Sequence, residues 1–256
     1  MLIMDKIAYS SKILKLSPAF KAGLALFTLL CTIIAGENIF SAAVFVFMSF
    51  MCIVISGFSV KKYVKLCFIP FWFLLLGAAT ISVSFLPQPT GVFNLPFFGG
   101  FAVVTQEGLL QAANMFLKAM ACVSCLYFLY VTTPISELFG LLDKLHTPKL
   151  MTELMMMTYR FIFILINMAQ QMKIAQNSRL GNINYKSSFR SLSVLASSLF
   201  VGAFLKSEQI YSAMESRGYS GDFAFTGELT PVTKGQKLIL SLYITLLLAL
   251  LVLLKL

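Results

Sequence analysis

Apolar residues arrive in long runs along this chain, separated by short polar or basic breaks. Runs long enough to cross a bilayer cover roughly 20–36, 39–57, 66–86, 109–132 and 238–256. A spanning helix needs about 20 mostly apolar residues, so these five segments are predicted to span. Gly36-Glu37-Asn38 makes a very short turn between the first two. Lys61, Lys62 and Lys65 precede the third. Residues 87–108 are irregular and Phe-rich, with Pro87, Pro89, Pro96 and Gly99-Gly100, and contain no Lys or Arg. Such a loop suits a membrane surface or a partner. Within it, the run from Phe97 to Thr105 reads as a hairpin around its glycines. Thr133-Pro134 ends the fourth run.

The stretch after Pro134 has a different pattern. Glu153, Arg160 and Asn167 recur every seven residues, as one polar stripe. Leu154, Met157, Phe161, Ile164, Met168 and Met172 recur at three and four, on the opposite face. That periodicity predicts an amphipathic helix over about 150–179. A short polar turn follows, and then a second long helix. The next apolar run, Leu192 to Leu205, is shorter than a span needs. If 150–168 crossed the membrane, Lys173, Arg179, Lys186 and Arg190 would face outward, against the positive-inside rule. Residues 134–237 are therefore expected on one side, with 11 Lys and Arg against 7 Asp and Glu.

Charge completes the topology. Residues 1–21 carry Lys6, Lys12, Lys15 and Lys21 against Asp5, a basic, membrane-proximal start. No small-residue cleavage site follows it, so no removed signal peptide is expected. With the N-terminus in and the C-terminus out, 18 of the 20 Lys and Arg fall in cytoplasmic segments; Lys118 and Lys255 are the exceptions. Lys118 lies inside the fourth run. It either faces a protein interior or partner, or snorkels to the interface.

Composition agrees. Of 256 residues, 59% are hydrophobic and 12% charged, and mean hydropathy is +0.87. Soluble domains carry about 25% charged residues. The fold class is thus an all-α integral membrane protein. About five transmembrane helices accompany a cytoplasmic module of long amphipathic helices. The divisions are 1–133, 134–237 and 238–256. The net charge of +10 follows from the positive-inside pattern and does not call for nucleic acid.

Little in the chain carries chemistry of its own. Cys31, Cys52, Cys67, Cys122 and Cys125 lie in or beside apolar runs and read as small packing residues. The single histidine, His146, excludes a His-rich metal cage within this chain. No phosphate-binding loop, H-E-x-x-H or nucleophile elbow occurs. No cofactor, metal site or catalytic residue is expected; if the chain drives transport, the energy comes from another subunit.

The repeated feature is a Ser-Arg pair at each long helix end: Ser178-Arg179-Leu180-Gly181 and Ser216-Arg217-Gly218-Tyr219. One reading is helix-end chemistry. An arginine in the last turn suits the negative end of the helix dipole, and Gly181 and Gly218 suit left-handed caps. The other reading is a pair of charged plugs. Arginine grips a carboxylate in a directional, bidentate way, and two plugs fit a partner with two similar subunits.

The segments AQNSRLG and AMESRGYSG resemble the two arginine coupling motifs of the T component of energy-coupling-factor (ECF) transporters. LHTPKLMTELMMMTYRFIFILI resembles the segment that precedes the first motif. MDKIAYSSKILKLSPAFK and TQEGLLQAANMFLKAM resemble the cobalt-type members, called CbiQ. The likeness covers nearly the whole chain. Family motifs are often Ala-Arg-Gly; here Ser precedes both arginines, and Leu180 replaces the first Gly. The resemblance implies two ABC-type ATPases, each taking one motif in a groove: Ser178, Arg179 and Leu180, and Ser216, Arg217 and Gly218. It also implies a substrate-binding S component, CbiM-like, with or without a small accessory membrane subunit. Lys118, Met157 and Met168 are candidates for S-component or interhelical contact. ATP would be bound by the partners and the cargo would be cobalt, with nickel or a vitamin as alternatives. The place is the plasma membrane of a prokaryote. The competing classes are a membrane enzyme, such as a lipid or prenyl transferase, and a basic scaffold held on anionic lipid.

Overall fold

The computed structural model describes residues 16–86, 93–97, 100–145, 147–219 and 231–255. Helix α1 (Pro18–Ile34) opens on Ser17, whose hydroxyl accepts from the Phe20 amide at 3.2 Å. Pro18 takes the first helical position, where a missing amide hydrogen costs nothing. Helix α2 (Asn38–Phe50) continues into a π-helical turn, Met51–Ile55, and stops at Gly57, φ +74°. Helix α3 (Val60–Ser82) contains Pro70. Helix α4 (Gln106–Thr132) is capped by the Thr105 hydroxyl, which accepts from the Gly108 amide at 3.2 Å, as N-cap threonines do. Then come α5 (Ile135–Lys144), α6 (Lys149–Ser178), α7 (Tyr185–Glu215) and α8 (Lys234–Lys255).

Between α3 and α4 lies a small antiparallel sheet of β1 (Val83–Leu86), β2 (Phe93–Phe97) and β3 (Gly100–Val104), in the order β1-β3-β2. Val83 pairs with Val104, and Phe97 with Gly100. The hairpin expected from Phe97 onward therefore starts earlier, at Phe93. The third span also needs correction. It begins at Val60, so Lys61, Lys62 and Lys65 belong to its first turns, and it ends at Ser82. Val83–Leu86 leaves the helix because β3 offers it a strand partner. Lys6, Lys12, Lys15, Pro87, Pro89, Gly99, His146 and the final Leu256 lie outside the described residues.

Of the described residues, 136–219 form one compact unit, and 16–135 with 231–255 form another. In the second unit α4 is the hub, packing against α1, α2 and α3. Its buried residues Ala121, Ser124, Cys125, Phe128, Val131 and Thr132 follow helical spacing, and Ala121, Cys125, Phe128 and Val131 share one core with Leu24, Ala25, Val44 and Met48. Pro70 has no amide hydrogen, so it leaves the Leu66 carbonyl without its helical donor. The Tyr127 hydroxyl of α4 supplies one at 3.0 Å. Helix α8 packs on α1, where Tyr243 shares a hydrogen bond with Thr28 (3.0 Å) and stacks on Phe47. Cys31, Cys52 and Cys125 are buried in this core, and all five cysteines are free thiols.

By length and composition, six described helical segments could cross a membrane: α2 with its π turn, α3, α4, α6, α7 and α8. Helix α1, at 17 residues, is shorter but apolar. The apolar run Leu192–Leu205 is thus embedded in a helix of 31 residues, and length no longer argues against its crossing. The charge distribution still does.

Candidate functional site

Helices α6 and α7 form an antiparallel pair. Near their connection the Gln176 side-chain amide donates to the Ser191 carbonyl at 2.9 Å, and the Ser187 and Ser191 hydroxyls donate to the Gly181 carbonyl at 2.6 and 2.8 Å. Further along, a Cβ placed on Gly202 would lie 2.6 Å from Met168 Cε, so Met168 fills the space that glycine leaves. At the far end the Tyr219 hydroxyl lies 3.5 Å from Glu153 Oε2. Between the helices a groove of about 510 Å³ is lined by Ile166, Ala169, Lys173, Leu192 and Leu195 among others.

The two Ser-Arg sites have the same backbone design. After α6 the Leu180 amide bonds to the Asn177 carbonyl (3.0 Å) and the Gly181 amide to Gln176 (2.9 Å). After α7 the Gly218 amide bonds to Glu215 (3.0 Å) and the Tyr219 amide to Met214 (3.1 Å). Both are Schellman caps. Each has one left-handed residue, Leu180 at φ 59° and Gly218 at φ 80°. The serine before each arginine donates to the carbonyl four residues back, Ser178 to Ile174 (3.1 Å) and Ser216 to Ser212 (2.8 Å), a local bond that serine makes readily. Arg179 and Arg217 therefore occupy equivalent positions, and both side chains are exposed. From the rise of α6 between Glu153 and Arg179, the two caps stand about 40 Å apart at opposite ends of the pair.

Three expectations change. Leu180, not Gly181, is the left-handed residue of the first cap. Gly181 is needed instead for close approach. A Cβ there would meet Ser191 Oγ at 2.8 Å and the Gln176 carbonyl oxygen at 3.0 Å. Glu153 is not part of an exposed polar stripe but is buried, with Tyr219 beside its carboxylate, while Leu154 is half exposed. Arg160 and Asn167 are exposed. Met157 is half-buried on α6, and Lys118 half-buried on α4.

Two polar devices were not legible in the chain. One is the Tyr127 bond to the Leu66 carbonyl, for which Pro70 was the available signal. The other is Lys21, read as part of a basic start. It is 1% exposed, and its ammonium donates to the Thr132 carbonyl at 3.1 Å. The available signal was Ser17-Pro18, a helix start that places Lys21 inside α1. Among the described residues no three His, Cys, Asp or Glu side chains gather as a metal group would require.

The chain is also similar to known proteins. The family described as cobalt transport protein, CbiQ, matches residues 10–226. The cobalt transport protein CbiQ of Salmonella typhimurium is 31% identical over 169 residues, covering 64% of this chain and 74% of that one. A putative fused cobalt transport protein, CbiMQ, of Methanocorpusculum labreanum is 34% identical over 259 residues, covering 97% of this chain and 42% of the fused one. The ECF transporter transmembrane protein EcfT of Brevibacillus brevis is 29% identical over 163 residues, covering 59% of this chain and 60% of that one.

Proposed function

Because this chain belongs to the CbiQ family, the transmembrane components of cobalt-type ECF transporters, and is a multi-pass membrane protein, we propose that it couples two partner ATPases to a substrate-binding S component for cobalt uptake. The observation that carries this reading is the pair of equivalent arginine caps. Each presents an exposed guanidinium beside a left-handed residue at the end of a long helix. One motif enters each ATPase groove and pairs with a carboxylate there. Leu180 holds a left-handed conformation that costs a non-glycine residue about 1–2 kcal/mol. Its side chain is nevertheless 68% exposed. An apolar contact in the groove gives that strained residue a use. ATP binding and hydrolysis fall to the partner ATPases.

ATP-driven closure moves the caps, and the α6–α7 pair passes the motion on. Helix α7 has no buried residue, and Phe189, Phe200, Phe204 and Tyr211 stand exposed along it. Such a face needs cover, which the S component supplies. The fused CbiMQ relative supports a CbiM-like identity for that partner. Lys118 faces the S component or another helix rather than lipid, because an unpaired charge at mid-span is expensive.

The test is detergent co-purification of the ATPases and S component, with thermal melts of the isolated subunit. Removing one member of a desolvated charge pair costs about 2–5 kcal/mol, whereas losing a surface cap charge costs about 0.3–1 kcal/mol. Arg179→Ala or Arg217→Ala is expected to keep the melt but lose most ATPase, and the double variant nearly all. Lysine at either site rescues only in part, for want of the planar fork. Lys118→Met is expected to loosen the S component. Full ATPase retention and transport by Arg217→Ala would leave plain helix capping as the role of that arginine.

A further inference from the structure

The membrane unit holds a buried cation where its hub helix ends. Lysine is among the residues least often fully buried, yet Lys21 is 1% exposed. Its ammonium donates to the Thr132 carbonyl at 3.1 Å, one of the last four carbonyls of α4. The end of α4 carries the negative end of the helix dipole, and the Leu129 carbonyl there is already taken by the Thr133 amide at 3.0 Å. Ser17, Thr132, Thr133 and Pro134 are buried as well. Ser17 caps α1 one turn before Lys21, so the cation is delivered from a fixed helix start. Immediately beyond Pro134 the chain enters α5 and the unit that bears the arginine caps.

We infer that Lys21 is a positioning residue: by pinning the end of α4 to α1, it makes Thr133-Pro134 a stiff exit through which motion of the 136–219 unit enters the hub helix. Proline fixes φ at that exit, and the ammonium fixes the carbonyl just before it. Without the pin, the last turn of α4 frays and absorbs the displacement. With it, the displacement reaches α1, α2 and α3 through the helix they all pack on. The transmission half of this inference rests on the proposed coupling function; the pinning half does not.

The experiment has two arms. In the first, cysteines replace the exposed Leu126 of α4 and Leu145 after α5 in a background without native cysteines. Spin labels there report the distance distribution across the exit. Lys21→Met is expected to broaden that distribution at least twofold, and Lys21→Arg to restore most of it. Lys21→Gln, which keeps a shorter neutral donor, falls between and guards against a variant that fails to fold. An unchanged width in folded Lys21→Gln and Lys21→Met overturns the pin. In the second arm, complexes in proteoliposomes are scored for uptake per ATP hydrolysed. Lys21→Met is expected to lower that ratio several-fold while retaining the ATPases. A broadened exit with an unchanged ratio overturns transmission and leaves a structural lysine. Wild-type protein that retains no ATPase counts against the coupling function and against transmission with it, while the spin-label arm still decides the pin.

Discussion

Pro70 and Tyr127 show how one side chain offsets another's defect. Proline in a helix interior removes a backbone donor, and in a bilayer no water replaces it. The Tyr127 hydroxyl reaches the Leu66 carbonyl, four residues before the proline, at 3.0 Å. Tyr127→Phe keeps the ring and deletes the donor, leaving a part-buried carbonyl unsatisfied at a cost of about 1–3 kcal/mol. The expected result is a lower melting temperature in detergent. Replacing Pro70 by alanine in the same variant is expected to recover it, because alanine restores the helical donor. No recovery in Pro70→Ala/Tyr127→Phe would mean that Tyr127 acts through packing and not through that carbonyl.

At the scale of elements, the two caps are one design built from different residues. Glycine adopts a positive φ at no steric cost, and leucine does not. Gly218→Ala is therefore expected to destabilise the second cap by about 1 kcal/mol, and Leu180→Gly to stabilise the first by a similar amount. Gly181→Ala should behave unlike either. Its methyl group would press on the Gln176 carbonyl and Ser191 Oγ. Overpacking of this kind costs about 1–3 kcal/mol. Gly202→Ala meets only the flexible end of Met168 and is expected to be close to neutral. Thermal unfolding of the four variants, followed by circular dichroism, checks the order. A Gly181→Ala protein as stable as Gly202→Ala would contradict the close approach at the α6–α7 connection.

At the scale of the whole molecule, charge separates helices that length and composition treat alike. Length and composition admit α6 and α7 as spans, and charge argues against them. Arg160, Lys173, Arg179, Lys186, Arg190 and Lys206 have no acidic residue among them from 154 to 207. Carrying any of these across opposes the positive-inside rule. The expected arrangement keeps 134–237 in the cytoplasm and the C-terminus outside. Single cysteines at Ser187 and Leu256, in a background without native cysteines, are probed with an impermeant reagent on intact cells. Position 256 should react and position 187 should not. External labelling at 187 would show that α6 crosses and would remove the first cap, with Arg179, from the ATPase side.

The sequence by itself determined the membrane character, the long helical segments and the paired arginine ends. These depend on composition, helical period and residues adjacent in the chain, which need no knowledge of distant neighbours. Tertiary structure decided which face each helix hides and where its polar groups go. Lys21 meets Thr132, Tyr127 meets Leu66, and Glu153 lies beside Tyr219 across long stretches of chain. No local pattern encodes those meetings. A lysine near an apolar run looks the same whether it ends in water or under a helix terminus. Only the packing of α1 on α4 removes the water and makes the Thr132 carbonyl its partner. The left-handed Leu180 was hidden for a related reason. Local preference favours the neighbouring glycine, but the contacts of Gly181 with Gln176 and Ser191 at the α6–α7 connection use it for close approach and leave the strained conformation to leucine.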